Sequence, residues 1–64
     1  MNSNLRKLPC AIVPCFNEEA NIARVVRTVR KHLDVCIVID DFSNDATAKQ
    51  AMDAGARLLR HERN

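Results

Sequence analysis

Asp40 and Asp41 stand side by side where an apolar, β-branched run ends, and Asp45 follows. Three carboxylates thus fall within six positions, 40 to 45. Carboxylates at the end of a strand can accept hydrogen bonds from a ribose hydroxyl or a base N–H. Aspartates there also stop a strand and cap the helix that follows, and residue type alone leaves both readings open. So much negative charge favours a metal-bound or amine-bearing ligand and repels bare phosphate unless a cation intervenes. A second cluster, Asn17-Glu18-Glu19, follows another short apolar run. Asparagine and glutamate at a helix start are more often capping residues than ligands. Glu18 would still reach a ligand lying on the sheet edge. Phe16, beside them, either stacks on a base or plugs the loop.

Other constellations are weak. The chain has one glycine, so neither G-x-G-x-x-G nor G-x-x-x-x-G-K-[ST] can be written in it. That argues against an ordinary dinucleotide or P-loop site. Cys10, Cys15 and Cys36 include no Cys-x-x-Cys pair. They read as reduced, small apolar residues rather than a zinc site or a disulfide framework. Cys15, just before a helix, has a place where a thiol pKa can fall, but no base accompanies it. No Ser-His-Asp or Cys-His set has credible geometry, so no catalytic residue is assigned. His32 and His61 read as solvated, and Arg60 and Arg63 as part of a solvated edge.

The surrounding pattern must position these loops. Cys10–Val13 is a short apolar run bracketed by Pro9 and Pro14, and it reads as a strand that the second proline stops. Ile22, Val25, Val26, Val29 and Leu33 then form a helical stripe. The first helix is expected over Glu18–His32, with Asn17 as its cap. Val35–Ile39 is continuous and β-branched, the pattern of a strand buried on both faces. A second helix is expected over Ala46–Ala54, capped by Asp45 or Ser43, with Ala48, Ala51 and Met52 facing inward. Gly55 falls where a helix C-terminus wants a left-handed residue. Ala56–Arg60 is expected as a third strand. The order β-α-β-α-β predicts an α/β fold: half of a doubly wound parallel sheet, three strands in order 3-2-1. Ligands of such a sheet bind beyond the carboxyl ends of the strands, where loops 14–19 and 40–45 meet.

Length and charge narrow the classes. Sixty-four residues with 47% hydrophobic and 28% charged composition suit a small globular unit rather than a disordered chain. A net charge of +2, spread among acids, gives no footprint for nucleic acid. No apolar run approaches the ~20 residues of a membrane span, and no secretory signal precedes the first strand. The expected organisation is a flexible tail over residues 1–8 and a nucleotide-binding portion over residues 9–64, in a cytoplasmic setting. The outer edge of the first strand is expected to lack a neighbour, which invites self-association.

Three of these segments resemble a known family. Ile12-Val13-Pro14-Cys15-Phe16-Asn17-Glu18-Glu19-Ala20-Asn21-Ile22 resembles the opening of family 2 glycosyltransferases, a strand running into Pro-x-Tyr-Asn-Glu-Glu and then a helix. Val35–Thr47 is similar to their second signature, an apolar strand followed by Asp-Asp-Gly-Ser-x-Asp-Gly-Thr. Ala54-Gly55-Ala56-Arg57 and then Arg60–Asn64 look like the family's third strand and the loop after it.

The resemblance implies a Rossmann-like transferase moving a sugar from a UDP- or GDP-linked donor to a polyprenyl phosphate or saccharide acceptor. The full-length relative would work in the cytoplasm or at the cytoplasmic face of a membrane. Pro14, Phe16 and Glu18 would line the nucleotide pocket, Asp40 would contact the base, and Asp41 would lie near the ribose. Three departures stand out: Phe16 replaces tyrosine, Phe42 replaces glycine, and Ala46 replaces glycine. A bulky Phe42 would be strained if its position needs a positive φ. The family's Asp-x-Asp metal motif and catalytic base have no counterpart in the 64 residues. Mg²⁺ or Mn²⁺ is therefore expected only for the complete family domain, with no metal ligand here, and this chain alone is expected to be inactive. The alternative is a small nucleotide-binding or association module without catalysis.

Overall fold

The structure, a computed structural model, describes residues 10–61; the expected tail over residues 1–8, Pro9 and the polar end at 62–64 lie outside the described residues. Five elements alternate: β1 (Cys10–Cys15), α1 (Ile22–His32), β2 (Val35–Asp40), α2 (Thr47–Asp53) and β3 (Arg57–Arg60). The strands form one parallel sheet with β2 in the centre, the predicted 3-2-1 order read from its other edge. Cys10 pairs with Val35 and Cys15 with Asp40; Ile37 pairs with Arg57 and Asp40 with Arg60. All three strands therefore end at one level, and the loops after β1 and β2 emerge together.

One face of the sheet carries the core. Cys15, Cys36 and Val38 from the strands meet Ile22 and Val26 of α1 and Ala51 of α2. Val26 and Val38 are fully buried, and burial of such a side chain stabilises by roughly 1.5–3 kcal/mol. Strict alternation follows: Cys36, Val38 and Asp40 are buried, whereas Val35, Ile37 and Ile39 are half-buried. The expectation that β2 is covered on both faces therefore holds for one face only. The other face displays Ile12 at 62% and Leu59 at 59% exposure, with Ile37 and Ile39 between them. Within α2, Ala51 is buried but Met52 faces outward, contrary to the expected stripe.

Several boundaries move for local reasons. β1 continues through Pro14 to Cys15. The Cys15 carbonyl accepts from the Asp41 N–H at 2.9 Å, so alternation turns Pro14 and its missing N–H toward the open edge, where a strand tolerates proline. α1 starts at Ile22, not Glu18, because a turn intervenes: the Glu18 carbonyl accepts from the N–H groups of Asn21 (2.9 Å) and Ile22 (2.8 Å). Arg30, Lys31 and His32 occupy its last turn, the favourable sign for a helix C-terminus.

α2 ends as its glycine predicts. Gly55 has φ 108°; its N–H donates to Met52 O at 3.0 Å, and the Ala56 N–H donates to Ala51 O at 3.0 Å. This pair of bonds is the Schellman motif. Arg30 reaches across from α1 and donates from Nη1 to the Gly55 carbonyl at 2.7 Å. One residue of α1 thus locks the turn that launches β3.

Candidate functional site at the carboxyl edge

The loop after β1 and the loop after β2 are joined by a ladder of backbone-to-side-chain hydrogen bonds. The Asn17 N–H donates to Ser43 Oγ (2.8 Å), and the Asn44 N–H donates to Asn17 Oδ1 (3.0 Å). The Glu18 N–H donates to Thr47 Oγ1 (2.8 Å). The Glu19 N–H donates to Asp45 Oδ2 (3.4 Å), and the Ala46 N–H donates to Glu19 Oε1 (2.8 Å). Each member of Asn17-Glu18-Glu19 therefore binds the other loop. The expectation that Asn17 caps α1 is corrected: its φ is 51°, a left-handed value that asparagine tolerates, and its side chain holds Asn44 instead. Glu19 likewise accepts the amide of Ala46, the residue just before α2, rather than capping α1. Asp45 completes the α2 start by accepting the Thr47 N–H at 2.9 Å and the Thr47 hydroxyl.

The two aspartates after β2 divide in role. Asp40 is fully buried. Its Oδ1 accepts from the Ser43 hydroxyl and from the Ser43 N–H at 3.3 Å. Its Oδ2 has no hydrogen-bond partner, and the Arg60 Nε lies 3.8 Å away. Arg60 also donates from Nη2 to the Ser43 carbonyl (2.7 Å). Its guanidinium lies over the Phe42 ring, 5.9 Å from the centroid. The reading of Arg60 as a solvated edge residue is thus revised. Asp41 is accessible, with Oδ1 3.1 Å from His61 Nδ1, so His61 too has a partner. The His61 backbone N–H donates to the Asp40 carbonyl at 2.8 Å.

Pro14, Phe16 and Glu18 are all exposed at this edge. The accessible members of the expected set are therefore Pro14, Phe16, Glu18 and Asp41, while Asp40 lies beneath them. Thr47 is not singled out from sequence, and Ser43 and Arg60 are read there only as a candidate helix cap and a solvated edge residue. Ser43 and Thr47 occupy the serine and threonine positions of the second signature, which is the signal that marks them. Phe42 has φ 58°, the strained left-handed backbone that its replacement of glycine foretold. Cys15 is buried, and its thiol pKa is raised, first by desolvation and then by Asp40, Glu18 and Asp45. It is therefore not an activated nucleophile.

Among the described residues no three His, Cys, Asp or Glu side chains converge as a metal donor set. Asp40 is committed to Ser43, Asp41 to His61 and Asp45 to Thr47.

Residues 10–64 match the family model for glycosyl transferase family 2. The chain belongs to that family. Two curated relatives match it in sequence. The uncharacterized protein MJ0544 of Methanocaldococcus jannaschii is 37% identical over 60 residues, covering 84% of this chain and 26% of that protein. Protein RfbJ of Shigella flexneri is 40% identical over 49 residues, covering 73% and 38%. Solved structures agree. Glucosyl-3-phosphoglycerate synthase of Mycobacterium tuberculosis superposes with a TM-score of 0.77 at 29% identity, over 91% of this chain and 23% of that one. The same synthase with Mg²⁺ and uridine diphosphate gives a TM-score of 0.76 at 29% identity, over 91% and 22%. With Mn²⁺, UDP-glucose and glycerol 3-phosphate it gives 0.77 at 29% identity, again over 91% and 22%. The family member described here thus spans between a fifth and two-fifths of the relatives it matches. No helix among its described residues is long and apolar enough to cross a membrane.

Proposed function

We propose that this chain is the donor-nucleotide-binding part of a nucleotide-sugar-dependent glycosyltransferase. The complete domain would move a sugar from a UDP- or GDP-linked donor to a polyprenyl phosphate or saccharide acceptor. In such a transfer the acceptor oxygen attacks the anomeric carbon, its proton passes to a base, and the nucleoside diphosphate leaves. The observation that carries the reading is the placement of Pro14, Phe16, Glu18 and Asp41 together at the carboxyl edge, on two loops that brace each other. The solved synthase that binds uridine diphosphate has this same portion of fold.

Electrostatics orients the donor. Glu18, Glu19, Asp41 and Asp45 make the edge acidic, so a diphosphate is repelled there while base N–H and ribose hydroxyl groups are attracted. In this reading Asp41 accepts from the nucleoside. Asp40 acts beneath it as a positioning residue through Ser43. The 64-residue chain is expected to bind nucleotide and not to transfer sugar.

The test is an NMR titration of the chain with UDP and with GDP. Shifts at residues 14–18 and 40–43 that disappear in Asp41→Ala would support the reading. Absence of any shift at millimolar ligand would overturn it. Sugar transfer by the chain, supplied with donor and metal, would overturn the expected inactivity.

A further inference from the structure

Phe16 and Phe42 are the chain's two aromatic residues. Each follows a strand that ends at the same level, Phe16 directly after Cys15 and Phe42 two residues after Asp40. The Asp41 N–H to Cys15 O bond of 2.9 Å ties the two places together. Both residues keep exposed surface, Phe16 at 51% and Phe42 at 40%.

Phe42 is not a core residue: the apolar core lies between the sheet and the helices and does not include it. Its φ of 58° costs a side-chain-bearing residue about 1–2 kcal/mol that glycine would avoid. Strained backbone of this kind persists where its surroundings hold it, and it concentrates at ligand clamps. Arg60 is the holding group here. Its guanidinium lies over the ring while its Nη2 is anchored to the Ser43 carbonyl. Phe42 directly follows Asp41, whose side chain is accessible. A flat aromatic surface next to a hydrogen-bond acceptor is the pairing that engages a nucleobase.

We propose that Phe42 is a second stacking surface for the donor nucleobase, alongside Phe16. The proposal rests on the nucleotide-binding reading above. It gives this chain a base contact at a position where the family pattern has glycine and hence no ring.

Calorimetric titration of the 64-residue chain with UDP and with GDP tests it, using Phe42→Leu, Phe42→Gly and Phe42→Tyr. Leucine keeps an apolar side chain without the π-face, glycine removes both ring and strain, and tyrosine keeps the ring. The expected result is about fivefold or greater loss of affinity in the leucine and glycine variants, with tyrosine close to the parent. Equal affinity in all four chains would overturn the proposal and leave nucleotide binding standing. So would a tyrosine variant as weak as leucine, since that marks a merely structural role. A parent chain that binds neither nucleotide would overturn the nucleotide reading and this proposal with it.

Discussion

The amide of Glu18 donates to the hydroxyl of Thr47 at 2.8 Å, joining the loop after β1 to the first residue of α2. Thr47 is fully buried. Its hydroxyl donates onward to Asp45, so one side chain serves three segments. Replacing Thr47 by valine keeps the shape and removes both bonds. We expect a loss of about 1–3 kcal/mol, the cost of leaving a sequestered amide unmatched. Denaturant unfolding of the two chains measures it.

Asp40 and Asp41 should separate cleanly by readout. Asp40→Ala removes the acceptor that orders Ser43 and leaves Arg60 without its buried counter-charge. Destabilisation of about 1–3 kcal/mol is expected. Asp41→Ala should change stability by no more than ~0.5 kcal/mol, as exposed substitutions usually do, while abolishing the nucleotide-induced shifts. A thermal melt and a titration on each variant check the division. Equal destabilisation by both would count against it.

Acid should weaken the brace through Asp45. Its carboxyl titrates below the ordinary value of 3.8, chiefly because the Thr47 hydroxyl donates to it. A depressed folded-state pKa means stabilisation that is present above the ordinary value and lost as pH falls through the folded one. The difference in melting temperature between the parent and Asp45→Asn should therefore be largest near neutrality. It should shrink from about pH 5 to about pH 2. A constant difference across that range would show that the charge is not what matters.

Gly55→Ala meets two obstacles at once. A Cβ there would lie 2.7 Å from Arg30 Nη1, and the φ of 108° is one that alanine resists. The expected cost is about 1–2 kcal/mol from the backbone alone, plus whatever the displaced Arg30 bond contributed. In an Arg30→Ala background the second part should vanish. A double-mutant cycle by chemical denaturation would show the two changes to be non-additive.

Thiol reactivity should rank by burial. Cys10 is exposed, whereas Cys15 and Cys36 are buried with thiol pKa values raised first by desolvation. Mass spectrometry after brief iodoacetamide treatment near neutral pH should find label on Cys10 well ahead of the other two.

The strand and helix order was legible because each element carries a clean period: Val35–Ile39 as a β-branched run, Ile22 to Leu33 as a helical stripe. Gly55 was legible because its place after a helix fits a Schellman turn. The two loops were legible as the site because strand ends in an α/β sheet converge. What sequence could not show was the partner of each loop residue. Asn17 and Glu19 look like local caps when read along the chain, yet their partners lie 26 or 27 residues away. Asp40 and Asp41 are neighbours of one type, and only the pleat, which alternates inside and outside, tells the buried one from the accessible one. Arg60 was misread for the same reason, since register with Asp40 is not written locally.

Pro14 carries one more consequence. Its N–H is missing on the side of β1 that faces away from β2. Counting down by alternation, the outward donors left on that strand belong to Ile12 and Cys10. A visiting strand would find donors along the lower part of β1 and, at the top, only the Pro14 carbonyl as an acceptor. The top is the mouth, where Phe16 and Asp41 stand. A strand added at this edge would therefore be held by one bond fewer beside the place where a nucleoside is proposed to enter.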